Sequence, residues 1–112
     1  MISLKLDEVI RRLREELSKI PSVRLILIFG SVARGDYRPD SDVDVMLVAE
    51  KVREARERAR EISSNIFADT GVPVTVIVVS PEDYSEESFS LIRRAKEEGF
   101  LLWKAEKSLR PS

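Results

Sequence analysis

Residues 23–48 read VRLILIFGSVARGDYRPDSDVDVMLV, and this stretch decides the fold. It begins with seven residues that are apolar on both faces except at Arg24, the pattern of a strand lying inside a sheet. Gly30 and Ser31 then break the run, and SVAR is long enough for one turn of helix with Ser31 near its start. A polar loop follows, and the chain re-enters an apolar segment, DVDVMLV at 42–48, which reads as a second strand. Its start is half acidic. Asp42 and Asp44 are two residues apart, so on a strand their side chains share one face, with carboxylates roughly 6–7 Å apart. Val43 and Val45 point the other way, into a core.

The flanking segments complete a mixed α/β pattern. Leu6, Val9, Ile10, Leu13, Leu17 and Ile20 recur at helical spacing over residues 4–20, and Pro21 stops that helix. Its other face carries opposite charges four residues apart, including Asp7/Arg11 and Arg11/Glu15, each worth a few tenths of a kcal/mol at most. Residues 50–68 form a second amphipathic helix, with Val52, Ala55, Ala59, Ile62 and Ile66 on one face and Gly71 beyond its end. PVTVIVV at 73–79 is a third, buried strand. Ser80-Pro81 opens a helix, with Ser85 as a competing cap, that runs to Glu98 and stops at Gly99. FLLW at 100–103 adds a short edge strand. The order helix, strand, strand, helix, strand, helix, strand implies a small mixed sheet packed against helices. One domain over 1–105 and a polar tail over 106–112 account for the 112 residues.

Composition narrows the chemistry. Nineteen basic and twenty acidic residues leave a net charge of -1, which argues against a dedicated nucleic-acid binder with a basic face. With no cysteine and no histidine, thiolate chemistry, the usual zinc ligands and the usual general base are excluded. Any metal must be held by oxygen, which points to magnesium or manganese. No signal pattern and no run of membrane-spanning length are present, so the expected location is the cytoplasm. Glutamine is absent and Asn65 is the only asparagine, a trait of thermophilic proteins.

Two carboxylates on one strand face are costly to keep ionised together in a half-buried site unless a cation lies between them. Gly30 allows close approach of backbone to a phosphate, and the Ser31 hydroxyl and free N–H groups at a helix start can donate to it. A phosphate cradle beside an acid pair suits metal-assisted phosphoryl or nucleotidyl transfer. Alone, a Gly-Ser is most often a turn, a rim Asp-x-Asp a solvated pair, and Arg34 and Arg38 plain surface cations. At this spacing, between two strands, they are far more specific.

GSVARGDYRPDSDVDV resembles the Gly-Ser…Asp-x-Asp signature of the minimal nucleotidyltransferases, in the DNA polymerase beta-like superfamily. The likeness extends to the leading helix, VPVTVIVVSPEDY and EEGFLLW. It implies a small mixed sheet with flanking helices, two divalent metals and an NTP donor, usually ATP. It implies that Gly30 and Ser31 contact the triphosphate, that Asp42 and Asp44 hold metal, and that Arg34 and Arg38 neutralise phosphate charge. Many members are encoded beside a small helical HEPN protein and act as antitoxins, some by modifying a tyrosine of that partner. One departure stands out. The family's third carboxylate lies on the next long strand, where Val74-Thr75-Val76 stands here, so Thr75 replaces it. Thr75 is also the lone polar side chain inside an apolar strand, which independently places it toward the site, although Thr is a good strand former as well. Two functions follow from the resemblance: transfer of AMP from ATP to an acceptor hydroxyl, on a HEPN partner, another protein, an RNA or a small molecule, or a catalytically impaired module that neutralises a HEPN partner by contact. Loss of a general base typically costs about 10²–10⁴-fold in rate.

Overall fold

A computed structural model describes residues 4–106. The elements are α1 (Leu4–Leu17), β1 (Val23–Phe29), α2 (Ser31–Arg34), β2 (Val43–Ala49), α3 (Val52–Thr70), β3 (Val74–Val79), α4 (Pro81–Glu86), α5 (Ser90–Glu98) and β4 (Phe100–Lys104). They form a four-stranded sheet in the order β3-β2-β1-β4. β1 pairs antiparallel with both β2 and β4, while β2 and β3 run parallel. A parallel pair cannot be joined by a hairpin, so α3 is the crossover between β2 and β3. The expected mixed α/β architecture is the observed one.

Strand parity divides the core in two. Ile26, Ile28, Val43, Val45 and Leu47 face Val9, Leu13 and Leu17 of α1 and Ala55, Ala59, Ile62 and Ile66 of α3. Leu27, Phe29, Met46, Val48 and Val79 face Ile92 and Ala95 of α5. β1 and β2 are therefore covered on both sides, which explains why their apolar runs are broken only by Arg24 and Asp44. β3 departs from the expectation of a fully buried strand. It lies at the sheet edge, and Val74, Thr75, Val76 and Ile77 are only partly covered.

Several boundaries differ from the sequence expectation. α1 ends at Leu17 because the chain tightens ahead of Pro21, with Ile20 N–H donating to Leu17 O at 3.2 Å. Ile20 nevertheless stays buried. α3 runs on to Thr70, whose hydroxyl donates to Ile66 O at 2.7 Å, and Gly71 ends it in the left-handed region at φ 78°. The single helix expected over 80–98 is two helices. Ser80, not Ser85, is the cap: its hydroxyl accepts from Asp83 N–H at 3.0 Å, and Ser85 lies inside α4. Glu87 then adopts φ 51°, which no helix can propagate. Lys96 and Arg93 of α5 hold the Glu87 carboxylate at 3.2 and 3.3 Å, and the Ser88 hydroxyl donates to Asp83 at 2.9 Å. The break lets α5 turn its Ile92–Ala95 face onto the sheet. Of the tail expected over 106–112, residues 107–112 lie outside the described residues. No described helix is long and apolar enough to cross a membrane.

Candidate active site

The register builds the site. Phe29 of β1 pairs with Asp44 of β2, and Asp44 pairs with Thr75 of β3. Asp44 and Thr75 thus lie side by side in the last row that joins β1, β2 and β3, on the α5 face. Asp42 is one residue before β2 begins. It still turns toward the same place, because the Thr75 hydroxyl donates to its Oδ2 at 2.9 Å. The three positions picked from the sequence as the acid pair and the replaced third acid are therefore brought together.

β1 ends at the same rim, and Gly30 turns the chain into α2. Gly30 has φ 74° and ψ -150°, a combination that only glycine adopts readily. It also lies directly against Asp44: a Cβ there would meet the Asp44 Oδ2 atom and stand 3.1 Å from its Cγ. Gly35, at φ 87°, closes the short helix, with its N–H donating to Ser31 O and Val32 O. The turn GSVARG is thus fixed at both ends, and Ser31 and Arg34 ride on it beside the acids.

Burial pushes the Asp44 carboxyl above the usual carboxylate range, and the negative charge of Asp42 adds to this. Arg34 opposes the shift and Glu98 reinforces it. The Arg34 guanidinium is held above its ordinary value by the charge of Asp36 and by a hydrogen bond to Glu98. Arg38, in contrast, is exposed in the loop before β2, and among the described residues its side chain has no ion-pair partner.

Two residues belong to this neighbourhood that sequence reasoning did not select. Glu98, at the end of α5, accepts from Gly30 N–H at 2.9 Å and from Arg34 Nη1 at 3.3 Å. Its only signal was an acid directly before the Gly99 stop. Tyr37 is half-buried, and its phenol is pushed up by burial and by the charge of Asp42. An aromatic in a polar loop gave no hint of that proximity.

The comparisons with known proteins fall on this same span. Residues 10–102 match the family model described as a nucleotidyltransferase domain. The chain belongs to the nucleotidyltransferase domain family. The matched span contains the Gly-Ser turn, the acid pair, Thr75 and Glu98. A Methanocaldococcus jannaschii protein named "Putative protein adenylyltransferase MJ0604" is 30% identical over 82 residues, 72% of this chain and 79% of that protein. Among solved structures, one chain of a toxin-antitoxin crystal structure with AMP-PNP superposes with TM-score 0.63 at 23% identity, covering 91% of this chain and 75% of that one. A chain from the complex of the tri-AMPylated Shewanella oneidensis HEPN toxin with its MNT antitoxin gives TM-score 0.55 at 20% identity, over 94% and 74% of the two chains. At these identities the structural matches speak for the nucleotidyltransferase fold.

The chemistry of the donor set bears on a cation. Two carboxylates brought to one rim suit a hard divalent ion, which takes oxygen donors. Among the described residues, no group of three or more acids is placed to hold a metal. The nucleotidyltransferase domain here offers one oxygen-donor pair, Asp42 and Asp44, with the Thr75 hydroxyl bonded to one of them.

Proposed function

We propose that this nucleotidyltransferase domain moves a nucleoside monophosphate, AMP from ATP, onto an acceptor hydroxyl of a partner protein. The observation that carries this reading is the convergence of Asp42, Asp44, Gly30, Ser31 and Arg34 on one rim of the sheet. In this reading Asp42 and Asp44 hold magnesium or manganese, which supplies charge stabilisation to the phosphates when bound. Gly30 and Ser31 contact the triphosphate, Arg34 draws its charge toward the turn, and Arg38 reaches it from the loop. The acceptor oxygen forms a bond to the α-phosphorus, the bond to the bridging oxygen breaks, and pyrophosphate leaves with that electron pair. The acceptor's proton passes to solvent water. Thr75 cannot take it readily, because a hydroxyl already donating to Asp42 is a weak proton acceptor.

Support for ATP and for a protein acceptor comes from relatives: a similar protein is named an adenylyltransferase, and fold neighbours come from a toxin-antitoxin structure with AMP-PNP and an AMPylated HEPN complex. A HEPN protein is accordingly the proposed partner. In this reading the HEPN partner presents the acceptor hydroxyl. Nucleic acid is disfavoured as partner by the balanced charge.

A second reading is favoured by one observation, the Thr75–Asp42 hydrogen bond at the third-acid position. It is a catalytically impaired module that binds and neutralises the HEPN partner by contact. Co-expression with a HEPN protein, gel filtration, and incubation with α-labelled ATP and magnesium separate the two. A joint species whose partner gains label supports transfer. A joint species without label supports the binding module, and separate elution of two folded proteins defeats both.

A further inference from the structure

Glu98 is the residue of this rim that the metal-and-phosphate reading leaves without a task. Its place is rigid. The next residue, Gly99, packs so closely on β1 that an added Cβ would stand 2.7 Å from Ile28 O and 3.3 Å from Phe29 Cβ. Ile92 and Ala95 bury the same helix against the sheet. The Glu98 side chain is only 19% exposed. Its Oε2 accepts from Gly30 N–H at 2.9 Å, while Arg34 Nη1 approaches its two oxygens at the looser distances of 3.3 and 3.4 Å. Arg34 is 46% exposed and also touches Asp36 at 3.4 Å. One partner is therefore fixed and the other can swing away.

These contacts matter because they use the groups an incoming phosphate needs. The Gly30 amide and the Arg34 guanidinium are already satisfied by a resident carboxylate. Around them stand four acids, Asp36, Asp42, Asp44 and Glu98, against Arg34, whose charge is divided between Asp36 and Glu98, and the exposed Arg38 of the loop. A bare triphosphate entering here must displace Glu98 from Arg34 and sit in a net negative field. A triphosphate carrying a divalent cation brings compensating charge to Asp42 and Asp44 and can still take Arg34.

We propose that Glu98 is a specificity-determining residue: by occupying Gly30 N–H and Arg34 it makes the site select a cation-complexed triphosphate over a free one. This rests on the nucleotide-binding reading and deepens it. Glu98 touches no reacting atom, so its effect appears as a change in selectivity.

The test is calorimetric titration of AMP-PNP into the wild type, Glu98→Gln and Glu98→Ala, each in excess magnesium and in EDTA. Gln keeps an acceptor for Gly30 N–H and removes the charge. Ala removes both and serves as the second neutral variant should Gln fail to fold. In EDTA both variants are expected to bind AMP-PNP about tenfold more tightly than the wild type, while affinity in magnesium stays within about threefold. The ratio of the two affinities is the readout, because a residue that merely propped the turn would move both together. Equal weakening in both buffers, or an unchanged ratio, overturns the inference while leaving nucleotide binding intact. A wild type that binds AMP-PNP in neither buffer overturns the nucleotide reading and this inference with it.

Discussion

Gly30→Ala is the sharpest perturbation of this site that needs no partner or substrate. Two costs are expected. The backbone at φ 74° and ψ -150° is one that alanine adopts only with strain of about 1–3 kcal/mol. The new methyl also meets Asp44 Oδ2 and stands 3.1 Å from Cγ and 3.2 Å from Cβ of that residue. Overpacking of this kind costs about 1–3 kcal/mol. Asp44 can rotate its carboxylate away, but its Cβ is fixed by β2, so part of the contact persists. The sum is about 2–6 kcal/mol, a large share of the roughly 5–15 kcal/mol that holds a domain together. Gly35→Ala is the internal reference. It also has positive φ, 87°, but nothing lies within 4 Å of its added Cβ, so only backbone strain of about 1–2 kcal/mol applies. Urea denaturation followed by circular dichroism should place Gly30→Ala clearly below Gly35→Ala. The Gly30→Ala/Asp44→Ala pair should recover part of the loss through a non-additive term. If Gly30→Ala is no worse than Gly35→Ala, or if removing the Asp44 carboxylate brings no relief, the packing of the turn against the acid pair is refuted.

Other outcomes follow from the same geometry. The folded protein holds the Asp44 proton more tightly than an unfolded chain does, so this group favours folding below the ordinary carboxylate range and loses that contribution as pH rises through its raised value. In EDTA, Asp44→Asn should therefore melt above the wild type at neutral pH, with the gap closing toward about pH 4; a variant less stable at pH 7 contradicts this. Thr75→Asp places a third acid beside Asp42 and Asp44. Melting temperature should fall in EDTA and recover with manganese, and label transfer to a partner should rise. Tighter manganese binding without any gain in transfer would favour the binding-module reading. Ser80→Ala removes the α4 cap and should cost about 1 kcal/mol in chemical denaturation; a neutral result would show that α4 is held by its packing alone.

The strand-turn-strand core was legible because its determinants are local. A run of seven residues, apolar except at Arg24, a Gly-Ser break and an Asp-x-Asp start set the strand faces by parity, and parity survives folding. As the lone polar side chain of an apolar strand, Thr75 was expected on the acid side of β3, where the structure has it bonded to Asp42. The helix break at Glu87 was not legible, since the residue carries no turn signature. Its positive φ is imposed from outside by Lys96, Arg93 and the docking of α5. The exposed edge position of β3 was hidden for a related reason: an apolar run does not say how many strands lie beyond it. Glu98 is the clearest case. It lies 68 positions from Gly30 along the chain, and its place directly before Gly99 is all that distinguishes it locally from Glu97. Only the pairing of β4 with β1, and the glycine that lets their backbones touch, bring that carboxylate to the turn. Side-chain periodicity, a property of neighbours along the chain, thus determined which faces carry chemistry. Which charges meet across the rim is a property of long-range packing, and only the tertiary structure decided it.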